Sequence, residues 1–232
     1  FELDDNTPNF SSDPFNQPVI GDINTPQTTE INVTDSDFKM PQVLRSNIAV
    51  DRQLPLGLVG TVEFLYAKNI NDVNFKNLNL GDPNNPGAPV GTLPDGRPDY
   101  GRSRVNSNFT RVILMDNTSR GHQLSFTTQI RKQLNRGPFK NLFGSLSYTF
   151  MDAEDVQPGR SSRAVSNWRD LETRDPNNPP LATSDFEVRH RILGNLSYTF
   201  NYGVGFGTTV SLFYEGRSGM PFSYVFNDDI NG

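Results

Sequence analysis

The sequence predicts an all-β chain, an antiparallel segment of a transmembrane up-and-down β-barrel with long extracellular loops. Three observations point there: apolar and polar residues alternate in several stretches, short connections alternate with very long polar ones, and no apolar run approaches the ~20 residues of a membrane-spanning helix. The clearest alternation runs from Phe186 to Phe200. Phe186, Val188, His190, Ile192, Gly194, Leu196, Tyr198 and Phe200 occupy one parity, and Glu187, Arg189, Arg191, Leu193, Asn195, Ser197 and Thr199 the other. Successive side chains on a strand point to opposite faces, so one face meets lipid and the other a wet interior. In a soluble sandwich the apolar parity would instead pack on a second sheet.

Residues 1–41 are rich in Asp, Asn, Pro, Ser and Thr without a period and are expected as an extracellular loop segment. Residues 42–232 are expected as a partial barrel wall. Its first strand spans Gln42 to Asp51, with Leu44, Ile48 and Val50 on one parity, and a short turn over Arg52 to Leu56 contains Pro55. The next strand, Gly57 to Ile70, sets Leu58, Val62, Phe64 and Tyr66 against Thr61, Glu63 and Ala67. Residues 71–107 hold so many Pro, Gly and Asn that they describe a long loop. Phe109 to Leu134 resumes the alternation, with Leu124, Phe126 and Ile130 opposite Gln123, Ser125, Thr127, Gln129 and Arg131. Asp116 to Ser119 interrupts it as a bulge or a break.

A turn at Asn135 to Pro138 leads to a strand over Phe139 to Met151, and residues 152–185 form the second long loop. After the strand ending at Phe200, a turn at Asn201 to Gly203 opens the last one, where Phe206, Val210, Leu212 and Tyr214 oppose Thr209, Ser211 and Glu215. The run Gly144 to Phe150 nearly recurs at Gly194 to Phe200, as expected of wall strands under the same constraints. About six strands are visible, whereas a closed barrel needs at least ~8, so the wall is expected to continue in further strands.

Composition bounds the chemistry. Only 34% of the 232 residues are hydrophobic, yet there are 17 Phe and 7 Tyr against one Trp, and the aromatics fall largely in the alternating stretches, as interfacial girdles require. A net charge of −5 with scattered Lys and Arg argues against nucleic acid as a partner. The absence of cysteine removes disulfides, thiolate nucleophiles and zinc-thiolate sites. The chain opens at Phe1 without a signal-like segment and ends at Gly232 on a turn-like run, so both ends are expected to be cut points.

Several stretches, in this order, resemble one family. They are Asp37-Phe38-Lys39-Met40-Pro41-Gln42, Asn106-Ser107-Asn108-Phe109, Ser161 to Trp168, His190-Arg191-Ile192, and the closing run Tyr214 to Tyr224. On these the chain resembles the Oar-like TonB-dependent receptors of bacterial outer membranes. The resemblance implies a barrel of about 22 strands closed by a plug domain and energised through a TonB complex that pulls on the plug. The family pattern also includes a plug, a TonB-contacting box and a terminal strand ending in an aromatic residue, which this stretch does not contain. The implied partners are outer-membrane lipid, the plug and remaining strands, the TonB complex, and a solute or protein cargo. The implied function is solute uptake across the outer membrane by vectorial movement, without covalent chemistry. The alternatives are a barrel for protein export or surface anchoring, and a soluble extracellular glycan-binding or adhesion β-domain.

Candidate site residues follow from residue type and parity. Glu63, Arg131, Glu187, Arg189, Arg191 and Glu215 fall on the polar parity, where they line a substrate path or brace a lumen through paired charges. Trp168, in the second long loop, either stacks on a ligand or pins its own loop. Asp228, Asp229 and Asn231 offer the oxygen ligands a Ca²⁺ ion favours, although the acidic residue that completes an EF-hand loop is missing, which leaves a solvated turn as the plainer alternative. No other cofactor is expected. His122 and His190 lie on the apolar parity, opposite Ser125 and Ser197 of their own strands, so the serine–histidine pairing that hydrolysis needs fails locally and no enzyme is expected. Gly91 to Gly96 lacks the strand-to-helix setting of a phosphate cradle.

Overall fold

A computed structural model of the chain describes Ser12, Asp13, Phe15 and residues 29–224. Six long strands form one antiparallel wall in chain order. They are β2 (Gln42–Leu54), β3 (Leu58–Asn77), β9 (His122–Leu134), β10 (Leu142–Asp155), β12 (His190–Tyr202) and β13 (Phe206–Arg217). The other strands are β1 (Thr29–Thr34), the short β4 (Gly81–Asp82), β5 (Asn85–Pro86), β6 (Gly91–Thr92) and β7 (Pro98–Asp99), then β8 (Phe109–Thr118) and β11 (Ala182–Thr183). One short helix, α1, covers Ala164–Arg169.

Register places the even-numbered apolar residues of the wall on one face. Ile48 is opposite Phe64, Phe64 opposite Phe126, Phe126 opposite Phe150, and Phe150 opposite His190, a single row across five strands. Lower down, Leu142 is opposite Tyr198 and Tyr198 opposite Val210, while Leu196 faces Leu212. Large apolar groups on this face are open: Ile48 is 71% exposed, Leu196 48% and Leu212 68%. No second sheet covers them among the described residues. An open apolar face this extensive is stable against hydrocarbon and not against water.

The odd parity is polar and hydrogen-bonded across strands. Asn47 Nδ2 donates to Glu63 Oε1 at 2.9 Å, the Thr127 and Thr149 hydroxyls meet at 3.0 Å, and those of Thr199 and Thr209 at 2.8 Å. Cross-strand threonine pairs of this kind satisfy hydroxyls on a solvated face.

The short connections share one end of the wall: a 3-10 turn at Pro55–Gly57, residues 135–141, and 203–205. Left-handed backbone at Gly203 and Gly205 closes the last of these tightly. At the other end the chain departs from simple alternation. The strand expected to end at Ile70 continues to Asn77, into the stretch expected as loop. Its upper part, Asp72 to Asn77, leaves the wall strands to pair with β8, which in turn pairs in parallel with β1. Ile70 has no partner in β2, since Asn69 is opposite Val43 and Asn71 opposite Gln42, and this bulge lets β3 change direction.

The interruption expected at Asp116 to Ser119 is a break between β8 and β9 centred on Gly121. Its φ is +113°, and a Cβ there would lie 2.7 Å from Asn69 Nδ2. The strand expected from Phe186 begins at His190. Before it, the Glu187 N–H bonds Ser184 O at 3.0 Å and Ala153 N–H donates to Glu187 Oε2 at 2.8 Å, so residues 184–187 turn on themselves. Residues 29–34, within the expected loop 1–41, are a strand. Their follow-on segment is tied down by Asn117, which accepts Lys39 N–H at 2.6 Å and donates to Lys39 O at 2.8 Å.

A buried apolar cluster lies beyond the wall, where the β3–β8 extension meets the second long loop. Phe75, Ile113 and Val165 are buried together, with Val73, Met115, Ala164 and Trp168 packed on them. Thus α1 docks on the β3–β8 extension through Val165 and Trp168.

Candidate functional site

The first long loop, residues 78–108, is built from two small hairpins, β4–β5 and β6–β7. At the tip of the second, Leu93 N–H bonds Arg97 O at 2.8 Å, and the Arg97 guanidinium closes on Asp95 at 2.6 Å. Gly81 N–H reaches Tyr100 O at 3.1 Å, which joins the two hairpins. The second long loop, residues 156–189, carries α1 and then folds back through Asp175 and Asn177.

Polar contacts between the loops are specific. Tyr100 Oη donates to Asp175 Oδ1 at 2.6 Å, and the same oxygen accepts the N–H groups of Asn177 and Asn178 at 3.1 and 2.9 Å. Burial, together with the Asp175 carboxylate, pushes the Tyr100 phenol well above its ordinary pKa, so it remains a donor. Asn177 is buried, and its Nδ2 donates to Asn77 O at 3.0 Å and Gly87 O at 2.9 Å while Oδ1 accepts the Trp168 indole N–H at 2.9 Å.

Between the loops lies a cleft of about 560 Å³. Tyr100 and Trp168 form part of its wall, with Leu80 and Leu93 beside them. Four arginines also line it: Arg97 and Arg102 from the first loop, Arg169 and Arg174 from the second. Arg169 is paired to its neighbour Asp170 at 2.6 and 3.0 Å, and Arg174 Nη2 donates to Asp95 O at 3.3 Å. Arg97 uses Nε on Asp95, while its Nη2 is buried with no acceptor.

The residues expected from sequence fall in three places. Glu63, Arg131, Arg191 and Glu215 are on the polar parity of the wall. Arg191 Nε meets Glu215 Oε1 at 2.9 Å, Glu63 is held by Asn47, and Arg131 stands opposite Val59 and Ser145. Glu187 and Arg189 instead sit at the foot of the second loop, before β12 begins. Glu187 is buried, and Arg189 bridges it at 2.7 Å to Asp152 at 3.1 Å. Burial pushes the Glu187 carboxyl up, but hydrogen bonds from Arg189 and the Ala153 N–H outweigh it and hold the group below the usual range.

Trp168 donates its indole N–H to Asn177, packs on the Val165 cluster and is one of the residues lining the cleft. His190 Nδ1 meets Tyr148 Oη at 2.8 Å within the aromatic row, and His122 faces Glu154 at 3.8 Å above it. Asp228, Asp229 and Asn231 lie outside the described residues. Sequence reasoning missed Tyr100, Asp175, Asn177 and the four arginines, because residues some 70 positions apart converge without any local period.

A sheet with one bare apolar face, one polar face, short turns at one end and folded loops at the other is the wall of a membrane-spanning β-barrel. A family model described as outer membrane beta barrel domain matches residues 2–232. The chain belongs to that outer-membrane β-barrel family, in the bacterial outer membrane, and is not a soluble β-domain. Comparison with curated proteins and with solved structures gave no match.

Proposed function

We propose that the chain is part of a TonB-dependent outer-membrane transporter that takes up a solute, with its long loops extracellular and its short turns periplasmic. The observation that carries this reading is the cleft: two long loops from neighbouring hairpins, buttressed by α1 and by the Asn77–Asn177 contact, build a ligand-sized hollow at the end where barrels of this kind meet the medium. Below it, the polar parity with Glu63, Arg131, Arg191 and Glu215 supplies groups for a solute path or for contact with a plug. The strand edges at β2 and β13 leave room for further wall strands, and the resemblance to Oar-like receptors supplies the plug and the TonB complex as partners.

Cells lacking the protein test the reading. Loss of uptake of a solute, restored by the intact gene and abolished again when the TonB complex is inactivated, supports it. Unchanged uptake with altered surface or secreted proteins would replace it with export or anchoring.

A further inference from the structure

We propose that the short-turn end of the wall holds an anionic phospholipid, with its phosphate on Lys132, Arg136 and Lys140 of the β9–β10 hairpin and its acyl chains along the bare apolar face. This goes beyond the uptake reading and shares with it only the orientation of the wall.

Charge is the first argument. The chain as a whole is acidic, with 26 Asp and Glu against 21 Lys and Arg, yet residues 129–149 hold Arg131, Lys132, Arg136 and Lys140 and neither Asp nor Glu. The strands on either side bring no acid to this end: residues 52–62 add Arg52 alone, and Ile192 to Tyr214 carry no charge. Asp51 and Glu215, further up the wall, are on the polar parity and are held by Thr61 and Arg191. Arg136 and Lys140 are exposed in the turn. Among the described residues, the side chains of Lys132, Arg136 and Lys140 have no hydrogen bond or ion pair. They are cations waiting for an anion, and a phosphate is the strongest acceptor available at a membrane surface.

Position is the second argument. Lys132 is on the apolar parity, opposite Gly144, which is opposite Leu196, which faces Leu212. It stands two residues from the end of β9 at Leu134, so its alkyl stem lies on the apolar face while the ammonium reaches the headgroups. Leu196, in the same row, is six residues from the end of β12 at Tyr202, a stagger that follows from strand tilt. Near the interface a lipid-facing cation costs little, and an anionic surface turns that cost into attraction. Ile130 and Leu146 pair one row further in, and both are exposed, as is Phe139 in the turn, so acyl chains have a floor beside the cations. Short turns of bacterial barrels face the periplasm, which makes the occupant a phospholipid of the inner leaflet.

The test titrates the full-length protein, in neutral detergent micelles, with phosphatidylglycerol or phosphatidylcholine of matched chains and resolves the lipid-bound forms by native mass spectrometry. Phosphatidylglycerol should bind about tenfold more tightly, since each cation near an anionic surface is worth about fivefold. K132Q/R136Q/K140Q should remove that preference, and K132R/R136K/K140R should keep it. K132Q alone should weaken phosphatidylglycerol about fivefold, and it carries the test should the triple variant fail to fold. K68Q removes another unpartnered lysine of the same parity, opposite Leu44 and His122 in the long-loop half, and should change nothing. Equal affinity for the two lipids, an affinity indifferent to these substitutions, or an equal loss in K68Q would overturn the proposal and leave the uptake reading standing. Tighter retention of lipopolysaccharide than of phosphatidylglycerol, lost in the triple variant, would also overturn it, by assigning the turn to the other leaflet.

Discussion

Asn177 pairs with the backbone of Asn77, 100 residues earlier, as a neighbouring strand would: its Oδ1 accepts the Asn77 N–H at 2.9 Å and its Nδ2 donates to the Asn77 carbonyl at 3.0 Å. Asn77 lies at the top of β3, beyond reach of the wall strands, and its backbone groups are buried. One carboxamide therefore ends a strand, ties the two long loops together and orients Trp168.

Replacing Asn177 by alanine should loosen the loops without loosening the wall. The change strips partners from the Asn77 N–H and C=O, the Gly87 carbonyl and the Trp168 indole at once. Each buried polar group left unpaired costs about 1–3 kcal/mol, so the loop layer should lose several-fold to many-fold protection. Amide exchange at Asn77 and trypsin cleavage at Arg169 and Arg174 report it. Heat-modified gel mobility of the barrel should stay unchanged, and a loss there would show that the loops support the wall itself.

Acid should tighten the region where β10 leaves the wall. Burial pushes the Asp155 carboxyl above its ordinary pKa, and Asp185 and Asp72 add to it, against a hydrogen bond from Ser184 and the charge of Arg160. Asp72 is also raised, chiefly by burial. A carboxyl raised on folding favours the folded state when protonated. Its stabilisation is full below the ordinary aspartate range and is lost as pH rises through the folded value. Amide protection factors around Asp155 and Ser184, which remove the intrinsic pH dependence of exchange, should therefore be higher at pH 4 than at pH 7, and D155N should raise them at pH 7 and flatten the difference. A profile that runs the other way refutes the assignment.

The two faces of β12 should respond oppositely to charge. Leu196, paired with Leu212, lies on the bare apolar face, and the adjacent Ser197, paired with Ser211, lies on the polar one. L196R should cost about 2–4 kcal/mol of folding free energy in lipid if it sits near the bilayer midplane. S197R should cost little. Urea titration of the protein folded into vesicles measures both, and equal penalties would mean the faces are assigned wrongly.

G121A should strain the joint between β8 and β9. Its φ of +113° is unfavourable for alanine, and the added methyl meets Asn69 Nδ2 at 2.7 Å and Glu154 O at 3.3 Å. A loss of about 1–3 kcal/mol is expected for such a backbone position. Exchange at Asn69, whose N–H bonds Gly121 O at 3.1 Å, should report it first.

What was legible in the sequence was the wall. A two-residue period is a local property, so Phe64, Phe126, Ile192 and Leu212 announce their face before any partner is known, and Pro, Gly and Asn announce where strands stop. The fold class, the polar parity of Glu63, Arg131, Arg191 and Glu215, and the short–long rhythm of connections all come from that period. Tertiary structure decided the rest. The extension of β3 past Ile70 depends on β8 being there to pair with it, and the removal of Glu187 and Arg189 from β12 depends on the Ala153 N–H. The cleft needs Tyr100, Trp168 and arginines from two loops held together by Asp175 and Asn177. Hydrogen bonds between residues so far apart leave no periodic trace along the chain, because what selects them is the folded position of a partner and not the neighbouring residues.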